Sequence, residues 1–271
     1  MKVFVVLALA LACVSAASIP ETLNSLKAAN SAKVIEGRIT NGHEAFPGLL
    51  PYQVGLSLNS SSGYTWCGGS LITNEWVLTA AHCTDGANIV TVYLGSTVLS
   101  VAQIVYTVSS SYIIQHSEYN PQTFANDLSL IRIPKVTYTE EIQPISLPAI
   151  SNAYPTYVDE YAIASGWGKE HDNSGVATTL NYAYLLVVDN DVCAQYYGNS
   201  LVTDKTVCVA TTNGATTCHG DSGGPLVLNN QLIGVASFGS LDGCQLDIPV
   251  GFVRVNSYLA WIQYVTGYLT N

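Results

Sequence analysis

The 271-residue chain is short of positive charge. It has 9 Lys and Arg against 19 Asp and Glu, a formal net charge of −10. Four of the basic residues (Lys2, Lys27, Lys33, Arg38) precede residue 39, so Arg132, Lys135, Lys169, Lys205 and Arg254 are alone on the remainder. A surface of this sign repels phosphate backbones and anionic headgroups, which argues against nucleic acid and membrane as partners. It also offers few cut points to a protease that cleaves after Lys or Arg. Long apolar runs are scarce too. The one exception opens the chain, "MKVFVVLALALACVSAAS", and is well short of the ~20 residues of a membrane span. A lone Lys2, an apolar stretch from Val3 to Cys13 and small residues after it read as a secretory signal peptide, residues 1–17. Tight Cys-x-x-Cys pairs are absent, which removes a zinc-type site. Cys13 leaves with the leader. Cys67, Cys83, Cys193, Cys208, Cys218 and Cys244 remain, an even set that suggests three disulfides in an oxidising compartment, with ~15 pairings open.

Beyond the leader the chain has two textures. Residues 18–38 are small, polar and weakly patterned, and read as a propeptide that buries little. From Ile39 onward short β-rich runs alternate with turn signals, among them "YQVGLSL", "WVLTA", "LSLIRI", "PLVL" and "GFVRV". Strands without intervening amphipathic helices indicate an all-β barrel or sandwich. The exception lies at the carboxyl end. There Leu259, Ile262, Val265 and Leu269 recur at spacings of three and four, as on a surface helix. No repeat and no low-complexity tract interrupts the chain.

Chemistry concentrates in three stretches. "CHGDSGGP" sets Ser222 among glycines, but a serine hydroxyl attacks poorly until a base takes its proton and a third group holds the base. His82 in "LTAAHC" ends an apolar run beside Cys83. Asp127 in "NDLSLIRI" stands at the mouth of another, where a charge without a partner is costly. In their chain order, "LTAAHC", "NDLSLIRI" and then "CHGDSGGP", in a secreted all-β chain, these stretches resemble the chymotrypsin-like (trypsin-fold) serine peptidases, from Ile39 to Asn271. "CGGSLI", "LPYQVGL" and "GWG" fit the same family. The resemblance implies two packed six-stranded antiparallel Greek-key β-barrels (39–150 and 151–271) with a C-terminal α-helix. It further implies His82 as general base and acid, Asp127 as its orienting carboxylate, Ser222 as nucleophile, and the N–H groups of Gly220 and Ser222 as oxyanion donors. The implied bridges are Cys67–Cys83, Cys193–Cys208 and Cys218–Cys244.

The resemblance also implies a zymogen. "VIEGRITNG" would be cut after Arg38 by a trypsin-like protease, and the new amino terminus at Ile39 would pair with Asp221. In the substrate pocket the floor position, aspartate in trypsins, is Thr216, followed by Thr217. Ser237, Phe238 and Gly239 would bind substrate backbone, and Val250 replaces a glycine. Small or medium apolar residues are therefore expected before the cut bond, with Asp242 or Asp247 as the route to any basic preference. Tyr93 to Tyr106, where trypsins often hold calcium, has no Asp or Glu. Neither metal nor cofactor is expected. The expected protein is a secreted, monomeric digestive endopeptidase, in the gut lumen or another extracellular space, with protein substrates and protein protease inhibitors as partners. A regulatory cascade protease and an inactive binding homologue are the alternatives. Asn59 in "NSS" is a single glycosylation sequon.

Overall fold

The computed structural model describes residues 39–268 apart from Ser62, Ser100, Thr212 and Asn213. The leader and propeptide assigned to 1–38, Arg38 included, lie outside the described residues, as does Leu269. Fourteen strands form two seven-stranded sheets. The first holds β2 (Gln53–Ser60), β3 (Gly63–Thr73), β4 (Trp76–Thr79), β5 (Ala87–Leu94), β6 (Ile104–Ser109), β7 (Ile113–Gln115) and β8 (Ser129–Arg132). The second holds β1 (His43–Glu44), β9 (Tyr161–Gly166), β10 (Asn181–Val188), β11 (Thr206–Val209), β12 (Pro225–Leu228), β13 (Gln231–Phe238) and β14 (Val250–Arg254). Strand periodicity sorts the side chains. Val54, Leu56 and Leu58 of β2 and Val90, Val92 and Leu94 of β5 are buried, while Ser57 and Asn59 between them are half-buried. Each such burial stabilises by roughly 1.5–3 kcal/mol.

Both sheets close. The second closes directly, because β9 and β10 pair with each other as well as with the ends of the row β11-β14-β13-β12. That leaves six strands in the ring, with the two residues of β1 appended to β10. In the first sheet β6 and β7 lie at opposite ends of the order β6-β5-β2-β3-β4-β8-β7. Only the 3₁₀ turn Ser110–Tyr112 separates them in sequence, so they are one strand bent across the seam. The count of seven per sheet is thus six in each barrel, one strand being broken and one short piece added. An antiparallel two-barrel fold with a C-terminal helix is what the sequence resemblance implies.

Among the described residues three α-helices accompany the barrels: α1 (Ala81–Thr84), α2 (Asn190–Tyr197) and α3 (Leu259–Thr266). Asp189 caps α2 by accepting the Asp191 N–H, and Cys193–Cys208 ties α2 to β11. The two chain ends do not stay with their sequence halves. Ile39 is fully buried in the core of the second barrel with Leu226, Ile233 and Phe252. Leu259 and Ile262 of α3 join a core cluster that takes in Leu56 and Leu130 of the first barrel and Val235 and Val253 of the second. His116, just after β7, packs its ring against Tyr258 and Trp261. Between the barrels Ser165 donates to Gln53 Oε1 at 2.6 Å, and Trp66 and Trp167 meet edge to face at 6.1 Å. Among the described residues no helix is long and apolar enough to cross a membrane.

Candidate active site

The edge of β4 runs into α1, and this one-turn helix presents His82. A disulfide from the next residue, Cys83, to Cys67 fixes α1 to β3. Asp127 lies two residues before β8, after Asn126 in a left-handed conformation (φ 54°). Its carboxylate is completely buried, and both oxygens are used. Oδ1 accepts the His82 backbone N–H at 2.8 Å. Oδ2 lies 2.8 Å from His82 Nδ1 and accepts the Ser237 hydroxyl at 2.6 Å. A carboxylate only accepts, so the ring proton belongs on Nδ1, and Nε2 is left as a base. The Phe124 ring lies beside the imidazole, centroids 5.6 Å apart.

Ser222 lines the same cavity as His82. The turn that carries it has its backbone donors divided into two groups. The N–H groups of Asp221, Gly223 and Gly224 are bonded to Cys218 O, Ala236 O and Asp221 O, and that of Cys218 to Asp221 Oδ2. Among the described residues no acceptor meets the N–H of His219, Gly220 or Ser222. Gly220 and Ser222 are half-buried, and their uncommitted N–H groups can serve an oxyanion. The turn is docked on the first barrel by the Gly68 N–H, which donates to Ser222 O at 2.8 Å. A Cβ on Gly68 would press on Gly224 Cα, which is why "CGG" stands there.

Asp221 points the other way, into the second barrel. It is buried, and its carboxylate accepts the N–H groups of Gly168 at 2.7 Å and Cys218 at 2.9 Å. Burial pushes its carboxyl up to about 7 against the pull of those two bonds. Gly166 and Gly168 explain "GWG": a Cβ at either would collide with this carboxylate.

The cavity encloses ≈ 580 Å³. Of the residues expected in the pocket, Thr217, Ser237, Phe238, Gly239 and Val250 line it. Thr216 does not. It is fully buried, and its hydroxyl donates to the Thr217 carbonyl at 3.1 Å. Val250 opens β14, and its Cγ1 would lie 3.2 Å from a Cβ on Gly239, so its methyl groups fill the space beside Gly239 in the cavity wall. Asp242 is in the lining and Asp247 is not. The reading from sequence missed Phe124, Tyr196 and Tyr197, which also line the cavity, and the Ser237 hydroxyl on Asp127. Tyr197 stacks edge-on against Phe238 at 5.1 Å, and burial raises its phenol to about 12. No local motif marks these residues.

The three expected bridges are present. Two Cys–His–Cys groupings, Cys67/His82/Cys83 and Cys218/His219/Cys244, have their sulfurs committed to disulfides and so offer no thiolate to a metal. A buried carboxylate, an oriented imidazole, a hydroxyl in the same cavity and two uncommitted N–H donors suit attack on a carbonyl carbon.

Residues 39–262 match the family profile described as Trypsin. The collagenase of Hypoderma lineatum is 47% identical over 270 residues, covering 98% of this chain and 99% of that one. Chymotrypsin-2 of Vespa crabro is 37% identical over 229 residues, covering 83% and 98%. A solved structure of HL collagenase is 48% identical and superposes with a TM-score of 0.79 over 84% of this chain and 98% of the other.

Proposed function

Because the chain belongs to the trypsin family of serine proteases, we propose that it hydrolyses peptide bonds through an acyl-enzyme on Ser222. His82 Nε2 takes the Ser222 proton as Oγ bonds to the substrate carbonyl carbon. The oxyanion is held by the Gly220 and Ser222 N–H groups. The protonated imidazole then gives its proton to the leaving amine as the C–N bond breaks, and Asp127 stabilises the imidazolium throughout. Water repeats the sequence on the acyl-enzyme. The single observation that carries this reading is the buried Asp127 carboxylate shared by His82 Nδ1 and Ser237, facing a cavity that also holds Ser222.

The finer reading is a secreted digestive enzyme made as a zymogen, cut after Arg38 by a trypsin-like protease. Two features support it: Ile39 is buried in the second barrel, and Asp221 has no cation beside it among the described residues. A free ammonium at Ile39 would supply one. The relatives named collagenase and chymotrypsin support a protein-degrading role. For specificity, an uncharged cavity wall at Thr217 and the Val250 methyl groups favour Ala, Val, Leu or Met before the cut bond.

Two substitutions test these levels separately. Ser222→Ala in the cut enzyme should lower turnover by ~10⁵–10⁶, and adding His82→Ala should cost little more because the pair acts as one unit. Multiplicative losses would overturn the assignment. Val250→Gly should raise cleavage after Phe relative to Ala, within the ~10–200-fold range of methylene-scale discrimination. Better cleavage by the parent enzyme after Arg than after Leu would overturn the pocket reading and make Asp242 the suspect.

A further inference from the structure

One carboxylate near the cavity takes no part in the chemistry above. Asp172 belongs to the loop between β9 and β10, outside the lining, yet its Oδ1 accepts the Cys244 N–H at 2.7 Å. Cys244 and its neighbours Asp242 and Gly243 form the far wall of the cavity. That wall includes Leu241, which is 95% exposed, so it has little packing of its own. Gly243 adopts φ 142°, and a Cβ there would press on the Asp172 carboxylate at 2.8 Å. Two more bonds reinforce the contact. Gln245 Oε1 accepts the Asp172 N–H at 3.3 Å, and Lys169 Nζ donates to the Asp172 carbonyl at 3.3 Å.

The linkage closes on itself. Lys169 N–H donates to the His219 carbonyl at 2.9 Å, next to Gly220. The Cys218–Cys244 disulfide returns from the serine turn to the far wall. The wall is thus held at two points, one covalent and one at Asp172. A bond to an ionised acceptor is about twice as strong as a neutral one. The geometry points to Asp172 as a positioning residue that sets the width of the substrate side-chain pocket from outside it. This inference rests on the proposal that the cavity receives the substrate residue before the cut bond.

Loss of the carboxylate frees the Cys244 N–H and the wall near it, while His82, Asp127 and the Gly220 turn keep their own bonds. Asp172→Ala should therefore lower kcat/KM for substrates with Leu or Met before the cut bond by about tenfold, mainly through KM, and blunt the preference of Leu over Ala. Inactivation of Ser222 by a small dialkyl fluorophosphate, which needs the hydroxyl and base but little of the pocket, should change less than about twofold. Asp172→Asn keeps an acceptor oxygen and should restore most of the KM. Unchanged KM and preference in Asp172→Ala would overturn the proposal. So would an equal fall in fluorophosphate reactivity, which would mark a general loss of structure. Hydrogen exchange on the unsubstituted cut enzyme tests the bond itself: the Cys244 amide should be protected, and free exchange there overturns the proposal. Failure of the underlying reading would look different: Val250→Gly, inside the cavity, would leave the ratio of cleavage after Phe to cleavage after Ala unchanged.

Discussion

Asp127 and Asp221 are both buried aspartates, within reach of the same cavity but in different surroundings. Asp127 has a complete set of partners: an imidazole, a hydroxyl and a backbone N–H, all at 2.6–2.8 Å. Asp221 has two backbone N–H groups and, among the described residues, no cation. A carboxylate without a counter-charge holds its proton far above the usual range, and Asp221 is pushed up to about 7. One site is assembled within the fold, whereas the other has no counter-charge among the described residues, and the proposed Ile39 ammonium would supply it. The difference teaches that burial alone does not define a catalytic carboxylate. Its set of partners does.

Removing the charge from each site in turn should widen the contrast. Asp127→Asn in the cut enzyme should lower kcat by about 10⁴, because the amide can no longer hold the His82 proton on Nδ1. A loss under tenfold in initial-rate assays would erase the distinction. Asp221→Asn should act before the chemistry. After cleavage at Arg38 the variant should remain poorly active, and an uncleaved Arg38→Gln chain should resemble it, since each lacks one half of the ion pair. Full activity of uncut Arg38→Gln would show that Asp221 needs no ammonium.

The smallest effect lies in the pH dependence of stability. In the uncut chain Asp221 is raised from an ordinary 3.8 to about 7, so between those values the folded state holds a proton that the unfolded state has released. Its contribution to stability is then fully present below pH 3.8 and is lost as pH rises toward 7. Urea melts of Arg38→Gln at acidic and neutral pH should show this fall, and Asp221→Asn in the same background should flatten it. In the cut enzyme an ammonium partner would keep the carboxylate ionised and remove the slope. An equal slope in both backgrounds would assign it to other groups.

Much of this was legible in the sequence, and for identifiable reasons. The strands announce themselves because Val54, Leu56 and Leu58 alternate with polar residues. The stretches around His82, Asp127 and Ser222 each have an ordinary structural reading alone, and only their combination carries the resemblance. What stayed hidden depends on the path of the backbone between distant segments. Nothing in Ser109, Ser110, Ser111 and Tyr112 announces a strand that bends across the seam of a barrel, since the turn contains neither glycine nor proline. Ser237 was expected only as a backbone partner of substrate, because its side chain meets Asp127 across 110 residues. The floor position assigned to Thr216 is not in the lining: the residue is fully buried and its hydroxyl donates to the Thr217 carbonyl. Asp172 lies in a polar loop that resembles any other until Cys244 is brought beside it.

The exchange of chain ends between the barrels has a mechanical consequence. Ile39 is anchored in the second barrel, while α3 sets Leu259 and Ile262 in a core cluster shared by both barrels and Trp261 against His116 of the first, so each end of the segment reaches the barrel built mainly from the opposite half. A hinge motion that swung the barrels apart would have to pull one clasp from its core. Both clasps would resist it with fully buried aliphatic side chains. Cutting the connection between the barrels would leave two fragments still buckled together, each holding the other's loose end. The cleft that contains Ser222 is therefore a seam braced from both sides.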